Sequence, residues 1–234
     1  MKPELIAIPA PLGATPAASL PAPALEIVRQ LRDFVAENPR SARRLLAAIG
    51  MPCPISELRI REFSEHSSVR EVPELLTPLR EGRPLGLLSE AGCPAIADPG
   101  AALVEAAHDA EFAVRPLIGP SSIVLALMAS GLEGQRFAFS GYLPREARER
   151  EQRIGVLEQR SRRERETEIF IETPYRNEAL AAALLKCCAE NTRLCFASGL
   201  TGDNESIRTA STANWRRAPP QLGRRPTVFL LQAA

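Results

Sequence analysis

Apolar segments alternate with polar or small-residue segments along this chain, and each type has its own period. Short apolar runs predict strands at Leu5–Pro9, Asp33–Ala36, about 85–88 and about 112–115. Segments with helical periodicity predict helices at Ala24–Leu31, 41–49 and 101–110, and the Pro/Ala-rich stretch Pro11–Pro23 is predicted to be a loop. Because strand, loop and helix alternate, we expect a largely parallel sheet with helices on its faces.

Three junctions carry the same helix-start signal, a polar capping residue followed by proline. Asn38-Pro39, Asp98-Pro99 and Thr173-Pro174 each precede a predicted helix. The polar side chain caps free backbone N–H groups, and proline at the first helical position has no N–H to leave unsatisfied. For Asp98, helix capping is the first interpretation and ligand binding the alternative.

The pattern changes after the middle of the chain. The segment 137–144 alternates apolar and polar residues with the period of a half-buried strand. Further strands are predicted at Glu168–Ile171, Arg193–Ala197, Ile207–Ala210 and Val228–Leu231, most of them joined by turns. The predicted fold class is therefore α/β with two α/β domains, an N-terminal mostly parallel, doubly wound sheet (1–117) and a C-terminal mixed sheet (118–234). The Arg/Glu-rich run 145–166 predicts a solvated helix face, with an RNA-facing surface as the alternative.

The amino-acid composition limits the kinds of partner that we expect for this protein. The 234 residues include 29 Lys+Arg against 28 Asp+Glu, a balance that argues against general coating of nucleic acid but allows a local basic patch. No apolar run approaches the roughly 20 residues that cross a bilayer, and the first apolar stretch is too short for a signal peptide, so we expect a soluble cytoplasmic protein without membrane contact. The five cysteines follow no disulfide or zinc spacing and are expected to be reduced thiols.

Several familiar catalytic motifs are missing from the sequence. It contains no P-loop, no G-x-S-x-G, no H-E-x-x-H and no C-x-x-C. Of the two histidines, His108 lies near the end of a predicted helix and has a structural interpretation. His66 lies in a polar loop and is a candidate substrate contact. No metal site is expected.

Two loops of small residues carry the candidate chemistry. Ser89–Pro94 and 118–122 each follow a predicted strand. Ligands of open α/β sheets bind beyond the carboxyl ends of the strands, where small residues leave backbone groups accessible. Glu90 could accept hydrogen bonds from an amine or a ribose hydroxyl. The second loop could equally be a capped helix start, because Ser is a good N-cap residue.

Taken together, four segments resemble the motifs of a known family: SEAGCPAIADPG (89–100), PLIGPSSIVLALMASGL (116–132), RFAFSGYLP (136–144) and IFIETPYR (169–176). They are similar to the tetrapyrrole methylase superfamily of S-adenosylmethionine-dependent enzymes, and most of all to its ribosomal RNA small-subunit methyltransferase I branch. The resemblance extends from about Leu5 to Leu231.

The resemblance implies two α/β domains with S-adenosylmethionine in the cleft between them, usually in a homodimer. Carried over by motif, the implied cofactor-binding residues are Pro9, Ser89, Glu90, Ala91, Gly92, Cys93, Pro94, Ile96, Ser121, Ser122, Gly141, Tyr142, Leu143, Glu172, Thr173, Leu200 and Thr201.

The segment 37–46 matches the branch's E-D-T-R-x-T-R-x-L-L in part. It keeps Glu37, Arg40 and Arg43 but lacks the Asp and Thr residues of that motif. Glu37 is the catalytic candidate for orienting the attacking hydroxyl or accepting its proton, together with Arg40. Arg43 and Arg176 are candidates for binding substrate phosphates, which suit the guanidinium fork. A solvated helix surface remains the alternative for Arg43.

Three functions stay open at this point. The first is 2′-O-ribose methylation of ribosomal RNA, with that RNA or the small ribosomal subunit as partner. The second is methylation of a small molecule such as a tetrapyrrole-like ring, which would need a wide apolar trough that a chain with few aromatics scarcely provides. The third is a non-catalytic family member that binds the cofactor or a partner, because several motif residues are lost.

Overall fold

A computed structural model describes residues 2–64 and 66–234, which divide between a first unit, Met1–Ser121, and a second unit, Ser122–Ala234. The described residues of the first unit form strands β1 (Glu4–Ile8), β2 (Asp33–Ala36), β3 (Arg59–Glu62), β4 (Leu85–Leu88) and β5 (Ala113–Pro116). Their order across the sheet is β3-β2-β4-β1-β5, and all neighbouring strands are parallel.

Helices cover both faces of the first sheet. They are α1 (Pro16–Ser19), α2 (Ala22–Arg29), α3 (Pro39–Ile49), α4 (Val72–Leu75), α5 (Thr77–Arg80) and α6 (Gly100–Asp109). Successive strand residues point to opposite faces, so Ile6 packs with α2 and α3, whereas Leu5 packs with α4, α5 and α6. The predicted parallel, doubly wound sheet is confirmed.

The second unit contains a mixed sheet. Its strands are β6 (Phe137–Tyr142), β7 (Thr167–Glu172), β8 (Arg193–Ser198), β9 (Ser206–Ser211) and β10 (Thr227–Gln232), and its helices are α7 (Ser122–Ser130), α8 (Ala147–Glu164), α9 (Asn177–Cys187) and α10 (Thr212–Arg217). The order is β6-β7-β10-β8-β9, in which β6 and β7 are parallel and the other neighbouring strands are antiparallel. The core contains the rings of Phe170, Phe196, Trp215 and Phe229. The mixed sheet is confirmed as well.

Local sequence signals located most elements, and the exceptions have physical reasons. Asn38 caps α3 as predicted, since its side chain accepts hydrogen bonds from the N–H groups of Arg40 (3.0 Å) and Ser41 (3.3 Å). The loop predicted for Pro11–Pro23 is wrong in part, because it contains α1 and the start of α2. Strand β3 was not predicted because it is a largely exposed edge strand whose sequence, RIRE, is mostly charged.

No helix among residues 2–64 and 66–234 combines the length and the apolarity needed to cross a membrane.

Candidate functional site

The first candidate site lies at one edge of the first sheet. Because all its strands are parallel, their carboxyl ends meet at the same edge. Strands β4, β1 and β5 are neighbours there, so the loops Pro9–Ala10, Ser89–Pro94 and 117–121 leave the sheet side by side. These three segments, called the edge loops below, contain most of the cofactor-binding candidates of this unit.

Hydrogen bonds join the edge loops to one another. Ala10 and Gly92 exchange two backbone hydrogen bonds, of 2.8 and 3.0 Å, and the Ser89 hydroxyl donates to the Gly92 carbonyl at 2.8 Å. The Cys93 thiol donates to the Pro120 carbonyl at 3.5 Å. Gly92 has φ +71°, a left-handed conformation that strains other residues. The loops therefore form one preorganised surface rather than three independent segments.

Some groups of this surface are still available to a ligand. The backbone groups of Glu90 and Ala91 make no hydrogen bond within the described part of the chain, and both residues are exposed. Ile96 is exposed as well, whereas Pro9 and Pro94 are buried and Ser121 is partly buried. A short, acidic loop with accessible backbone N–H groups can bind a polar, hydroxyl-bearing ligand.

Two polar side chains of this region interact with the protein itself and are not available to a ligand. Asp98 Oδ1 accepts hydrogen bonds from the N–H groups of Ala95 (2.7 Å) and Gly100 (2.8 Å), which ties the loop to the start of α6. Burial raises the pKa of Asp98, although these two hydrogen bonds act to lower it. Burial also raises the pKa of the Cys93 thiol, which therefore stays protonated at neutral pH and is a poor nucleophile.

The catalytic candidates reach the same edge from the neighbouring strand. Glu37 follows β2, which pairs directly with β4, and it is partly buried. Arg40 and Arg43 lie in the first turns of α3 with exposed side chains, and no carboxylate of the described residues lies within 4.0 Å of either guanidinium. His66 is exposed and follows the edge strand β3 in the chain. The fold thus places Glu37, His66 and the edge loops at one edge of one sheet.

The second unit brings its own candidates to one edge of its sheet. Thr227 at the start of β10 pairs with Glu172 at the end of β7 and with Ser198 at the end of β8. Since β6 is parallel to β7, this edge collects the segments Gly141–Leu143, Glu172–Thr173 and Leu200–Thr201. Tyr142 is exposed, Leu143 and Leu200 are buried, and Ser122 is the partly buried first residue of α7.

An ion pair organises the Glu172 segment. The Glu172 side chain is only 1% exposed, and its Oε2 lies 2.7 Å from Arg176 Nη2. Its Oε1 accepts a hydrogen bond from the Thr173 N–H at 2.7 Å, and Arg176 Nη2 also lies 3.4 Å from the Pro144 carbonyl. The guanidinium of Arg176, a candidate phosphate ligand by sequence, therefore has a structural partner already.

One residue of this segment was not singled out from the sequence. Tyr175 lies between the matched residues Thr173 and Arg176 and has an exposed side chain, which contacts Arg224. The only sequence signal was an aromatic residue inside a motif of polar residues. Among residues 2–64 and 66–234, no group of three or more His, Cys, Asp or Glu residues could hold a metal ion.

Comparison with known proteins gives a consistent set of relatives. The chain is 32% identical over 203 residues to the ribosomal RNA small subunit methyltransferase I of Micromonospora olivasterospora, covering 87% of this chain and 61% of that protein. It is 30% identical over 207 residues to the protein of the same name from Escherichia coli O157:H7, covering 88% and 68%. The Xylella fastidiosa relative is 37% identical over 153 residues, covering 65% and 53%. The chain thus spans roughly half to two thirds of the length of these relatives. No family model matches the chain.

Solved structures share the fold. The methyltransferase CobJ superposes with a TM-score of 0.65 at 20% identity, covering 99% of this chain and 94% of its own. The cobalt precorrin-4 methyltransferase CbiF superposes with a TM-score of 0.63 at 14% identity, covering 98% and 95%. At these identities the likeness shows the fold.

Proposed function

This chain belongs to the ribosomal RNA small subunit methyltransferase I family, and from that membership we propose that it transfers a methyl group from S-adenosylmethionine to a ribose 2′-hydroxyl of small-subunit ribosomal RNA. The observation that carries the proposal is the convergence of the joined edge loops with Glu37 at the carboxyl edge of one sheet. The proposed place of action is the cytoplasm, where small ribosomal subunits are found.

The edge loops fit the cofactor chemically. S-adenosylmethionine, when bound, supplies a methyl group on a positively charged sulfonium that becomes a neutral thioether when the methyl leaves. The accessible backbone groups of Glu90 and Ala91 can hydrogen-bond its amino-acid part, and the Glu90 carboxylate can accept from a ribose hydroxyl or an amine. Pro9 and Ser121 belong to the same loops, and Ile96 follows one of them. The candidates of the second unit, Ser122 and those from Gly141 to Thr201, remain predictions of the same role.

The substrate side of the proposal concerns α3 and the residue before it. An attacking hydroxyl must lose its proton, and a carboxylate within reach accepts it. Glu37 follows β2 at this edge, next to the edge loops, and we assign it that role. Arg40 and Arg43 have exposed guanidinium groups without acidic partners among the described residues, which suits them to RNA phosphates. Positioning of the two reactants supplies much of the catalysis in such an in-line transfer.

A homodimer is part of the proposal. Helix α7 (SIVLALMAS) is apolar on nearly all sides, yet Val124 and Met128 are exposed. An apolar helix that exposes large side chains is typical of an interface, and we assign this face to a second copy of the chain. Light scattering after size exclusion tests this. We expect twice the chain mass of 25.5 kDa, reduced to a single chain mass by Met128→Glu.

The other two hypotheses differ in their support. Methylation of a tetrapyrrole-like small molecule rests on the solved structures alone, and those show the fold. The hypothesis of a non-catalytic family member is decided by the experiment described next.

The test combines cofactor binding with methyl transfer. Calorimetry with S-adenosylhomocysteine is expected to give micromolar affinity, and Ala91→Trp is expected to abolish it by filling the accessible loop. Ala91 is preferred to Gly92, whose left-handed backbone would itself be strained by a side chain. Radiolabelled methyl transfer to unmodified small ribosomal subunits, followed by alkaline hydrolysis, then identifies the site, because 2′-O-methylated linkages resist alkali. Cofactor binding without any transfer would favour the non-catalytic hypothesis.

A further inference from the structure

An exposed aromatic ring lies next to the Glu172 segment and is paired with an arginine. Tyr175 is 77% exposed, and the guanidinium carbon of Arg224 lies 4.9 Å from the centre of its ring. The ring belongs to the short 3₁₀ turn Pro174–Arg176 at the edge of the second sheet where the candidate residues of that unit collect. A large aromatic ring left in solvent at such a position offers a flat face on which a ligand can stack.

The segment that carries Arg224 is held in place rather than loose. Glu178 Oε1 accepts hydrogen bonds from the N–H groups of Leu222 (2.9 Å) and Gly223 (2.8 Å). The Asn177 side-chain amide donates to the Arg225 carbonyl at 2.7 Å. Both anchoring side chains lie in the first turn of α9, directly after the turn that contains Tyr175. The ring and the guanidinium are therefore preorganised relative to each other.

The charge of Arg224 differs from that of the neighbouring arginines. Arg176 is paired with Glu172, and the Arg225 guanidinium donates to the carbonyls of Leu222, Gln221 and Asn204. No carboxylate of the described residues lies within 4.0 Å of the Arg224 guanidinium. Arg224 is thus a positive charge in contact with an aromatic ring, and it can still bind an anion.

A second arginine–aromatic pair in the same unit provides a comparison, because its role is to stabilise the fold. Arg208 lies 4.6 Å from the ring centre of Trp215. Trp215, however, is only 3% exposed and its Nε1 donates to the Leu194 carbonyl at 3.0 Å, so that ring is part of the core. Tyr175 has no such burial, and stabilising the fold does not account for its position.

We propose that Tyr175 stacks on an unpaired nucleobase of the RNA substrate and that Arg224 contacts a phosphate beside that base. The proposal rests on the proposed function and specifies how that substrate is held. Single-stranded RNA is typically recognised by aromatic side chains that stack on its bases and by arginines that bind its phosphates. Arg224 on one face of the ring leaves the other face to the base.

Fluorescence anisotropy with a labelled single-stranded RNA oligonucleotide, at several salt concentrations, tests the proposal. Tyr175→Ala should weaken binding about five- to 150-fold, the range expected for one stacked base, and should leave the slope of log K against log salt unchanged. Tyr175→Phe, which keeps the ring, should bind within about twofold of the wild type. Arg224→Gln should reduce the magnitude of the salt slope by about 0.7, the value for one phosphate contact on a single strand. Arg208→Gln removes the same charge elsewhere and should leave this slope unchanged.

Methyl transfer to small ribosomal subunits, measured in parallel, separates the two proposals. If the wild type transfers methyl groups and Tyr175→Ala binds RNA and transfers as well as the wild type, the stacking proposal alone is wrong. If Arg208→Gln changes the slope as much as Arg224→Gln, Arg224 has no specific phosphate contact. If the wild type transfers no methyl group to any ribosomal RNA, the proposed function is wrong and the stacking proposal falls with it. Unchanged S-adenosylhomocysteine affinity in Tyr175→Ala confirms that the variant is folded.

Discussion

Gly119 lies against the ring of Pro9, so close that a Cβ at position 119 would be 2.4 Å from Pro9 Cβ and 2.9 Å from a methyl group of Leu20. Real Cβ atoms essentially never approach other atoms so closely. The contact joins the loop after β5 to the loop after β1, and both are edge loops of the candidate cofactor site. Glycine is needed at position 119 because any side chain there would overlap the side chains of Pro9 and Leu20.

We expect Gly119→Ala to destabilise the protein by about 1–3 kcal/mol, the usual cost of forcing a methyl group into a packed region. The same variant should bind S-adenosylhomocysteine more weakly, because the loops must separate. Urea denaturation and calorimetry measure the two effects. Gly155→Ala is the matched control: a Cβ there meets nothing within 4 Å, and helix α8 should gain about 0.5–1 kcal/mol. Equal stability of the two variants would contradict the packing argument.

Asp33 makes the free energy of unfolding of the protein depend on pH. Its carboxylate, with the side chain 5% exposed, accepts two hydrogen bonds of 2.6 Å from Arg59 and one of 3.1 Å from Arg83. Burial raises the pKa of Asp33, but these hydrogen bonds and charges outweigh it and the pKa lies below the ordinary 3.8. The carboxylate therefore stabilises the fold above about pH 4, and this contribution is lost as the pH falls through the depressed pKa.

We expect Asp33→Asn to lower the free energy of unfolding by about 2 kcal/mol at pH 7, the scale of hydrogen bonds to a charged group. The gap between the variant and the wild type should narrow as the pH falls below 4. Denaturant titrations between pH 2.5 and pH 7 measure it. Glu81→Gln, which removes an exposed partner of Arg83, should cost at most about 1 kcal/mol. A gap that stays constant down to pH 2.5 would show that the Asp33 charge is not responsible.

Arg176 serves the fold through Glu172. Arg176→Ala would leave the Glu172 carboxylate, 1% exposed, without its cation. We expect a loss of about 1.5–3 kcal/mol in the free energy of unfolding. Lys186→Ala breaks an equally short but exposed ion pair with Glu151, at 2.7 Å, and should cost about 0–1 kcal/mol. If both variants lose the same amount, burial of Glu172 does not set the strength of its ion pair.

If Glu37 accepts the proton of the attacking hydroxyl, its replacement should slow methyl transfer without weakening cofactor binding. Glu37→Gln should reduce methyl transfer about 10²- to 10⁴-fold, the usual contribution of a positioned general base. Affinity for S-adenosylhomocysteine should stay within about twofold of the wild type. Single-turnover transfer to small subunits measures the defect, and Glu26→Gln on the exposed surface of α2 is the control. Full activity in Glu37→Gln would remove this residue from the proton transfer.

Local chemistry was readable from the sequence because it depends on neighbours along the chain. Asn38 caps α3 through N–H groups two and three residues away, and the strands Asp33–Ala36 and Leu85–Leu88 are buried and, except for Asp33, apolar. Elements with weak patterns were missed for the converse reason. Strand β3 has no buried face, and α1 is a single turn inside a proline-rich stretch.

The sequence by itself therefore determined the alternation of strands and helices, the two kinds of sheet and the motifs that identify the family. Only the tertiary structure decided which side chains have partners. Arg59 and Arg83 reach Asp33 across 26 and 50 residues of chain, and Gly119 reaches Pro9 because β5 and β1 are neighbours. Tyr175 is recognised as a candidate only in the folded structure, where Arg224 lies over its ring. Such pairings depend on strand order and loop packing. These bring together residues that are far apart in the chain, and the sequence around one residue does not indicate its partner.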